Sequence, residues 1–191
     1  MTDGPRLNDG WSAPNDGWSA LLMTDGPHFQ PRELIDRLTG AGVRFVVIGG
    51  LAAQAHGSPS ATFDLALVPS WDGDNLARLE TVLHDIQAIR HGLPADAQPM
   101  PALDARTLRA TSLLTLNTTF GRLDLLANPD PGLDFETLMR SAELRDLFGT
   151  RIRIASLDDL IAMKRAAGRP RDRVELEILG ALREEIDRPL R

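Results

Sequence analysis

A mixed α/β (α+β) sheet flanked by helices, with a small helical C-terminal part, is the fold class the sequence predicts. Three observations predict it. Short apolar runs of strand length alternate with segments of helical period between residues 31 and 86. Two strand-like runs, "LLTLNTT" and "GRLDLLA" (113–127), are joined through Phe120–Gly121, a hairpin pattern that brings antiparallel pairing into the sheet. After "RIRIA" (151–155) only helical patterns remain.

The elements follow in order. "PRELIDRLTGAG" is a helix: it opens on Pro31, repeats apolar residues at Leu34, Ile35 and Leu38, and stops at Gly40 and Gly42. "VRFVVIGG" (43–50) is a buried strand ending on a glycine pair, and "LAAQAHG" is a short helix closed by Gly57. "ATFDLALVP" is the next strand, ended by Pro69. Alternation puts Phe63, Leu65 and Leu67 on one face and Thr62, Asp64, Ala66 and Val68 on the other. "GDNLARLETVLHDI" carries Leu76, Leu79, Val82, Leu83 and Ile86 on one helical stripe. A loop rich in Pro and Ala (92–105) leads to the hairpin. "DFETLMRSAELRDLF" (134–148) reads as one helix, and the strand "RIRIA" follows it. Ser156, with Asp159 three residues on, is the expected N-cap of "SLDDLIAMKRAAG". The last helix is expected from about Arg171 to Asp187, after Pro170.

The first 22 residues stand apart. "NDGWSAP" repeats at once as "NDGWSAL", and "MTDGP" at 1–5 recurs at 23–27. A short repeat rich in Gly, Asn, Asp and Ser cannot build a core. Residues 1–22 are therefore read as a flexible tail or an upstream extension, 23–150 as the core, and 151–191 as a basic, mostly helical segment completing the site. Hydrophobic residues at 42% and charged residues at 25% suit a globular protein. No apolar run is long enough to span a bilayer, and no secretory pattern opens the chain. The absence of cysteine excludes disulfides and thiolate metal sites. These features together point to the cytoplasm and to no membrane partner.

The net charge of -6 argues against a surface coated in positive potential. The distribution is uneven, however. Between Arg151 and Arg173 seven basic residues face three acidic ones, a local balance of +4 that leaves -10 for the rest. Such a segment is a candidate site for phosphate-bearing ligands; a solvated helix face is the plainer alternative.

Three features could do chemistry together. Gly49–Gly50 sit at a strand-to-helix turn, where backbone N–H groups can approach a phosphate closely. Asp64 follows Gly50 after thirteen residues, on the polar face of the next strand. Asp124 lies in "GRLDLL", with Leu123 and Leu125 opposite. If the two strands lie side by side, both aspartates face one pocket. His28, His84 and His91 have no metal-ligand spacing, and His56 is read as structural at a helix end. Nothing matches a Ser-His-Asp arrangement, a Walker loop or a zinc finger.

"IGGLAAQAHGSPSATFDLALVP" resembles the signature of the polymerase-beta-like nucleotidyltransferase superfamily. That signature is a small-residue pair, about a dozen residues, Asp-x-Asp, and a third carboxylate on a later strand. "SLDDLIAMKRAAGRPRDRVELEIL" is similar to a C-terminal block of AbiEii and MenT-type members, toxins of bacterial toxin–antitoxin systems. The matching stretches, 43–69, 121–126 and 156–179, cover about a third of the chain. The resemblance implies a hydroxyl attacking the α-phosphorus of an NTP, with two Mg²⁺ ions about 3.5–4 Å apart clamping the attacking and leaving oxygens. Residues i and i+2 of a strand are about 6.5 Å apart on one face, so Asp-x-Asp can reach metals that it shares.

Ala66 stands at the second Asp position, and a methyl group cannot ligate a metal. The chain as written is expected to bind the metal pair poorly and to turn over little. Three explanations compete: an engineered Asp-to-Ala change, a naturally degenerate homologue, or Asp74 or Asp104 moving in. Ser60 departs as well, where many relatives carry Arg. Lys164 is the single Lys beside twenty Arg, and its compact ammonium suits a triphosphate. The resemblance implies that Lys164 contacts the NTP, that Asp172 is required, and that Arg169 is a second phosphate contact. It also marks Thr62 as a position an antitoxin could phosphorylate, adding about -1.5 to -2 of charge beside Asp64.

The expected activity is Mg-dependent transfer of a nucleotide from an NTP, such as CTP, to an RNA 3′ end. The expected acceptor is tRNA, so that translation is blocked, and a cognate antitoxin is the expected partner. A small-molecule nucleotidyltransferase of aminoglycoside type shares the same core. A non-catalytic homologue acting as antitoxin or regulator is the reading of a different class.

Overall fold

The computed structural model describes residues 28–93, 102–170 and 172–188; the repeat tail, residues 94–101 of the Pro- and Ala-rich loop, and Arg171 lie outside them. In chain order the elements are α1 (Pro31–Gly40), β1 (Phe45–Ile48), α2 (Gly49–Ala55), β2 (Asp64–Pro69), α3 (Gly73–Asp85), β3 (Ile89–Arg90) and α4 (Ala105–Arg109). Then follow β4 (Leu113–Thr118), β5 (Gly121–Leu126), α5 (Phe135–Ser141), β6 (Glu143–Leu147), β7 (Thr150–Ile154), α6 (Leu157–Ala167) and α7 (Asp172–Asp187).

The strands form one mixed sheet in the order β3–β4–β5–β2–β1–β7–β6. β2 runs antiparallel to β1 and parallel to β5, while β4–β5 and β6–β7 are antiparallel hairpins. All four residues of β1 are buried, as expected for a strand near the middle of a covered sheet. On β2, β4 and β5 the pleat separates two faces. Leu65, Leu67, Leu114, Leu116, Leu123 and Leu125 are buried, whereas Asp64, Ala66, Arg122 and Asp124 share the opposite face.

The apolar stripes of α1 and α3 enter the same core, and α1 contacts both α3 and β2. Asn75 of α3 fixes that layer. Its Oδ1 accepts from the Arg44 amide at 2.6 Å, and its Nδ2 donates to the Arg44 and Ser70 carbonyls at 3.0 and 2.8 Å. Leu157, Leu160, Ile161 and Met163 of α6 and Leu179 of α7 belong to this core cluster too. Among the described residues no helix is long and apolar enough to cross a membrane.

Two expectations are corrected. The segment 134–148 is not one helix: α5 ends at Ser141, and β6 pairs with β7 from Glu143↔Ile154 to Leu147↔Thr150. Between them Phe148 and Gly149 both take positive φ, 59° and 87°, which is the conformation of a tight two-residue hairpin turn. Phe63 is not inside the sheet: regular strand begins only at Asp64, and Phe63 is 77% exposed.

Candidate active site

The glycine turn comes first. Gly49 has φ of +69°, a conformation that a side chain resists, and a Cβ there would lie 3.2 Å from the Ala66 Cβ. Gly50 is packed tighter still: a Cβ would meet the Thr62 Oγ1 at 2.6 Å and its Cβ at 2.7 Å. The absence of side chains at 49 and 50 is what lets α2 start against β2 and the loop before it.

β2 and β5 then set the acids. Their parallel register places Asp64 beside Arg122 and Ala66 beside Asp124. Thr115 of β4 faces Asp124 from the other side. The Thr62 hydroxyl donates to Asp64 Oδ1 at 2.9 Å, so Thr62 orients the carboxylate although it lies just outside the strand. Asp124 Oδ1 is buried without a partner. Burial pushes the Asp124 carboxyl up from its ordinary range; the Thr115 hydroxyl opposes this, the nearby Asp64 charge adds to it, and Arg122 opposes it in turn.

The raised carboxyl pKa makes stability depend on pH. The folded-state pKa of Asp124 lies above its unfolded value, so the folded state binds this proton more tightly. Stability at this residue is lost as pH rises from just below 4 through the raised value. Asp124→Asn removes the buried charge. Urea unfolding from pH 4 to 8 is expected to show a variant more stable than the parent at the upper end, with the difference vanishing toward the lower end.

The last wall comes from the C-terminal helices. Ser156 caps α6 as expected, accepting from the Asp159 amide at 3.2 Å and donating to its carboxylate at 2.6 Å. Gly168 ends the helix in the left-handed region at φ +59°, and the chain turns at once into α7. That turn brings Lys164 Nζ to 3.1 Å from Asp172 Oδ1. The Asp172 side chain is 6% exposed and its Oδ2 has no partner, while Lys164 keeps 25% of its side chain accessible.

Gly49, Gly50, Thr62, Asp64, Ala66 and Asp124 line one cleft of about 510 Å³. Lys164, Arg169 and Asp172 line it as well. The basic segment divides, though. Arg151 and Arg153 sit on β7 and line a separate hollow with Arg44 and Phe45, so they are not part of this cleft. Asp74 lies in the first turn of α3 and Asp104 caps α4 through the Thr107 amide, and neither lines the cleft. His56 is tied down: its Nε2 donates to the Ala155 carbonyl at 2.9 Å. Sequence reasoning passed over Arg122 and Phe63, which also line the cleft. The signal for Arg122 was its place two residues before Asp124 on a strand, which puts both on one face.

Among the described residues no cluster of three or more His, Asp or Glu is arranged to hold a metal. Two carboxylates, one with an unpartnered buried oxygen, fit an Mg²⁺ ion that completes its shell with substrate phosphates and water. A second metal sharing a ligand at residue 66 does not fit an alanine.

No protein-family model matches the chain, and no curated protein matches it in sequence. Solved structures do. A lincosamide antibiotic adenylyltransferase, LnuA in its lincomycin-bound form, superposes with a TM-score of 0.54 at 15% identity over 81% of this chain and 99% of its own. The antibiotic-resistance factor ANT(2'')-Ia, bound to adenylyl-2''-tobramycin, gives 0.49 at 14% identity over 81% and 95%. A Thermotoga maritima protein described as a nucleotidyltransferase gives 0.48 at 16% over 86% and 98%. Glycine turn, paired strands and helical wall thus occur on a mixed sheet shared with LnuA, and the fold of this chain is a nucleotidyltransferase fold.

Proposed function

We propose that the chain is a nucleotidyltransferase of the polymerase-beta-like superfamily whose intact site moves the nucleotidyl group of an NTP onto the 3′-hydroxyl of an RNA. The acceptor end of tRNA is the proposed substrate. With Ala66 in place the chain is a weakened form. The observation that carries the transferase reading is the register: Asp64, residue 66 and Asp124 share one face of two neighbouring strands, in one cleft with Gly49–Gly50 and Lys164.

In this reading the hydroxyl oxygen bonds to the α-phosphorus, the bond from that phosphorus to the bridging oxygen breaks, and pyrophosphate leaves. Lys164 and Arg169 neutralise the leaving phosphates, and the backbone at Gly49–Gly50 lies against the triphosphate. Asp124, on the same face as Asp64 in the cleft, takes the hydroxyl proton. Asp64 and Asp124 would hold Mg²⁺, which supplies charge neutralisation at the phosphoryl oxygens. Thr62 orients Asp64, so a phosphate there would replace a donor with a dianion and shut the site; a cognate antitoxin is its proposed source.

A small-molecule acceptor is the second reading, favoured by the coverage of nearly the whole lincosamide adenylyltransferase by this fold. Ala66 itself favours a third, a regulator that binds without turnover. The Ala66→Asp protein, given α-labelled NTPs and Mg²⁺, separates them. Label on RNA supports the proposal, and label on lincomycin or tobramycin supports the second reading. No label from a folded protein leaves the regulator.

A further inference from the structure

Asp64 has two unusual neighbours. Phe63, immediately before it in the chain, is 77% exposed and lines the cleft. Arg122 lies beside it in register on β5 and lines the same cleft. A large apolar ring left in water forgoes the stabilisation that burial would bring, and the strand alternation that would have buried it starts one residue too late.

Arg122 is held, but not by an acid. Its Nη2 donates to His91 Nε2 at 2.9 Å, and His91 Nδ1 meets Asn117 Oδ1 at 3.0 Å. A guanidinium can only donate, so Nε2 accepts, and Nδ1 carries the hydrogen that goes to Asn117. Asn117 is in turn the register partner of Arg122 across β4 and β5. The relay aligns the guanidinium through neutral groups, and none of these hydrogen bonds goes to a carboxylate, although its charge is felt at Asp124.

We infer that Phe63 and Arg122 form a subsite for one nucleotide of the acceptor strand, its base stacked on the Phe63 ring and its phosphate on the Arg122 guanidinium. The inference rests on the RNA-acceptor reading above and names how the strand is held. Stacking on an aromatic face is tolerant of base identity, and a planar guanidinium suits a phosphate. A polycationic antibiotic would be repelled by the Arg122 guanidinium. His91 is a positioning residue, acting through Arg122.

The test measures affinity of the full chain for a 5′-labelled, single-stranded oligoribonucleotide over a salt series, with NTP affinity measured in parallel. Phe63→Ala is expected to weaken the oligonucleotide roughly ten- to hundredfold at every salt concentration. Phe63→Trp is expected to retain affinity, with indole fluorescence quenched on binding. Arg122→Gln is expected to weaken binding and lower the log–log salt slope by about 0.7. His91→Ala should follow Arg122→Gln in part. NTP affinity should fall far less than oligonucleotide affinity in each of them. Parental oligonucleotide affinity in Phe63→Ala or Arg122→Gln, or an equal loss of NTP, overturns the subsite while leaving the transferase reading intact. A parent that binds NTP but no oligonucleotide overturns the RNA reading and the subsite together.

Discussion

Ala66→Asp should raise nucleotidyl transfer by roughly a hundred- to ten-thousandfold over the parent chain. Residue 66 sits beside Asp124 on the face that carries Asp64, and its methyl lines the cleft. On the proposed reading a carboxylate there would supply a ligand shared by the two metals. Metal stabilisation of developing phosphoryl charge is worth several kcal/mol, and each ~1.4 kcal/mol is a factor of ten in rate. The substitution also places a third acid beside two others, one of them already disfavoured as an anion. Without Mg²⁺ the variant should therefore melt below the parent, and added Mg²⁺ should raise its Tm far more than the parent's. Equal response of both proteins to Mg²⁺ would show that residue 66 does not face a metal.

Lys164 carries the second large effect, and it divides into stability and binding. Lys164→Ala leaves Asp172 in a nearly closed environment with neither oxygen paired. Removing one partner of a buried pair costs about 3–5 kcal/mol; the partial exposure of Lys164 puts the expected loss near the lower figure. Replacing both, Lys164→Met with Asp172→Leu, removes the stranded charge and should recover most of that stability in urea unfolding. NTP affinity should not recover, because the cation is gone. A double variant that binds NTP like the parent would reduce the pair to a structural role.

The parts of this site that could be read in the sequence are those set by short-range rules. The glycine pair, the alternation around Asp64 and Asp124, the Ser156 cap and the hairpin of β4 and β5 each follow from local geometry and are present. The hairpin has its connection one residue earlier than expected, at Thr119–Phe120, because Gly121 already pairs with Thr118. What escaped depends on partners distant in the chain. "ELRDL" favours a helix by propensity, yet it pairs with β7 because Phe148–Gly149 folds back in a turn that needs two positive φ values. Period-two alternation buried Phe63 on paper, but a rule about strands says nothing of where a strand begins. The basic run from Arg151 to Arg173 looked like one surface; Arg151 and Arg153 of β7 line one hollow, and Lys164 of α6 and Arg169 line the cleft. The pairing of Ala66, rather than Asp64, with Asp124 came only from the parallel register, and it puts residue 66 next to Asp124 on the β2 side, as Thr115 is on the β4 side.

The proposed reaction breaks the NTP between the α-phosphorus and the bridging oxygen. Ala66→Asp protein incubated with Mg²⁺, RNA and NTP labelled either at the α- or at the γ-phosphorus tests this. Nucleotidyl transfer puts the α-label on the RNA 3′ end and releases the γ-label as pyrophosphate. Transfer of the γ-label to the acceptor, or release of free orthophosphate with the α-label left on a nucleoside diphosphate, would contradict the account.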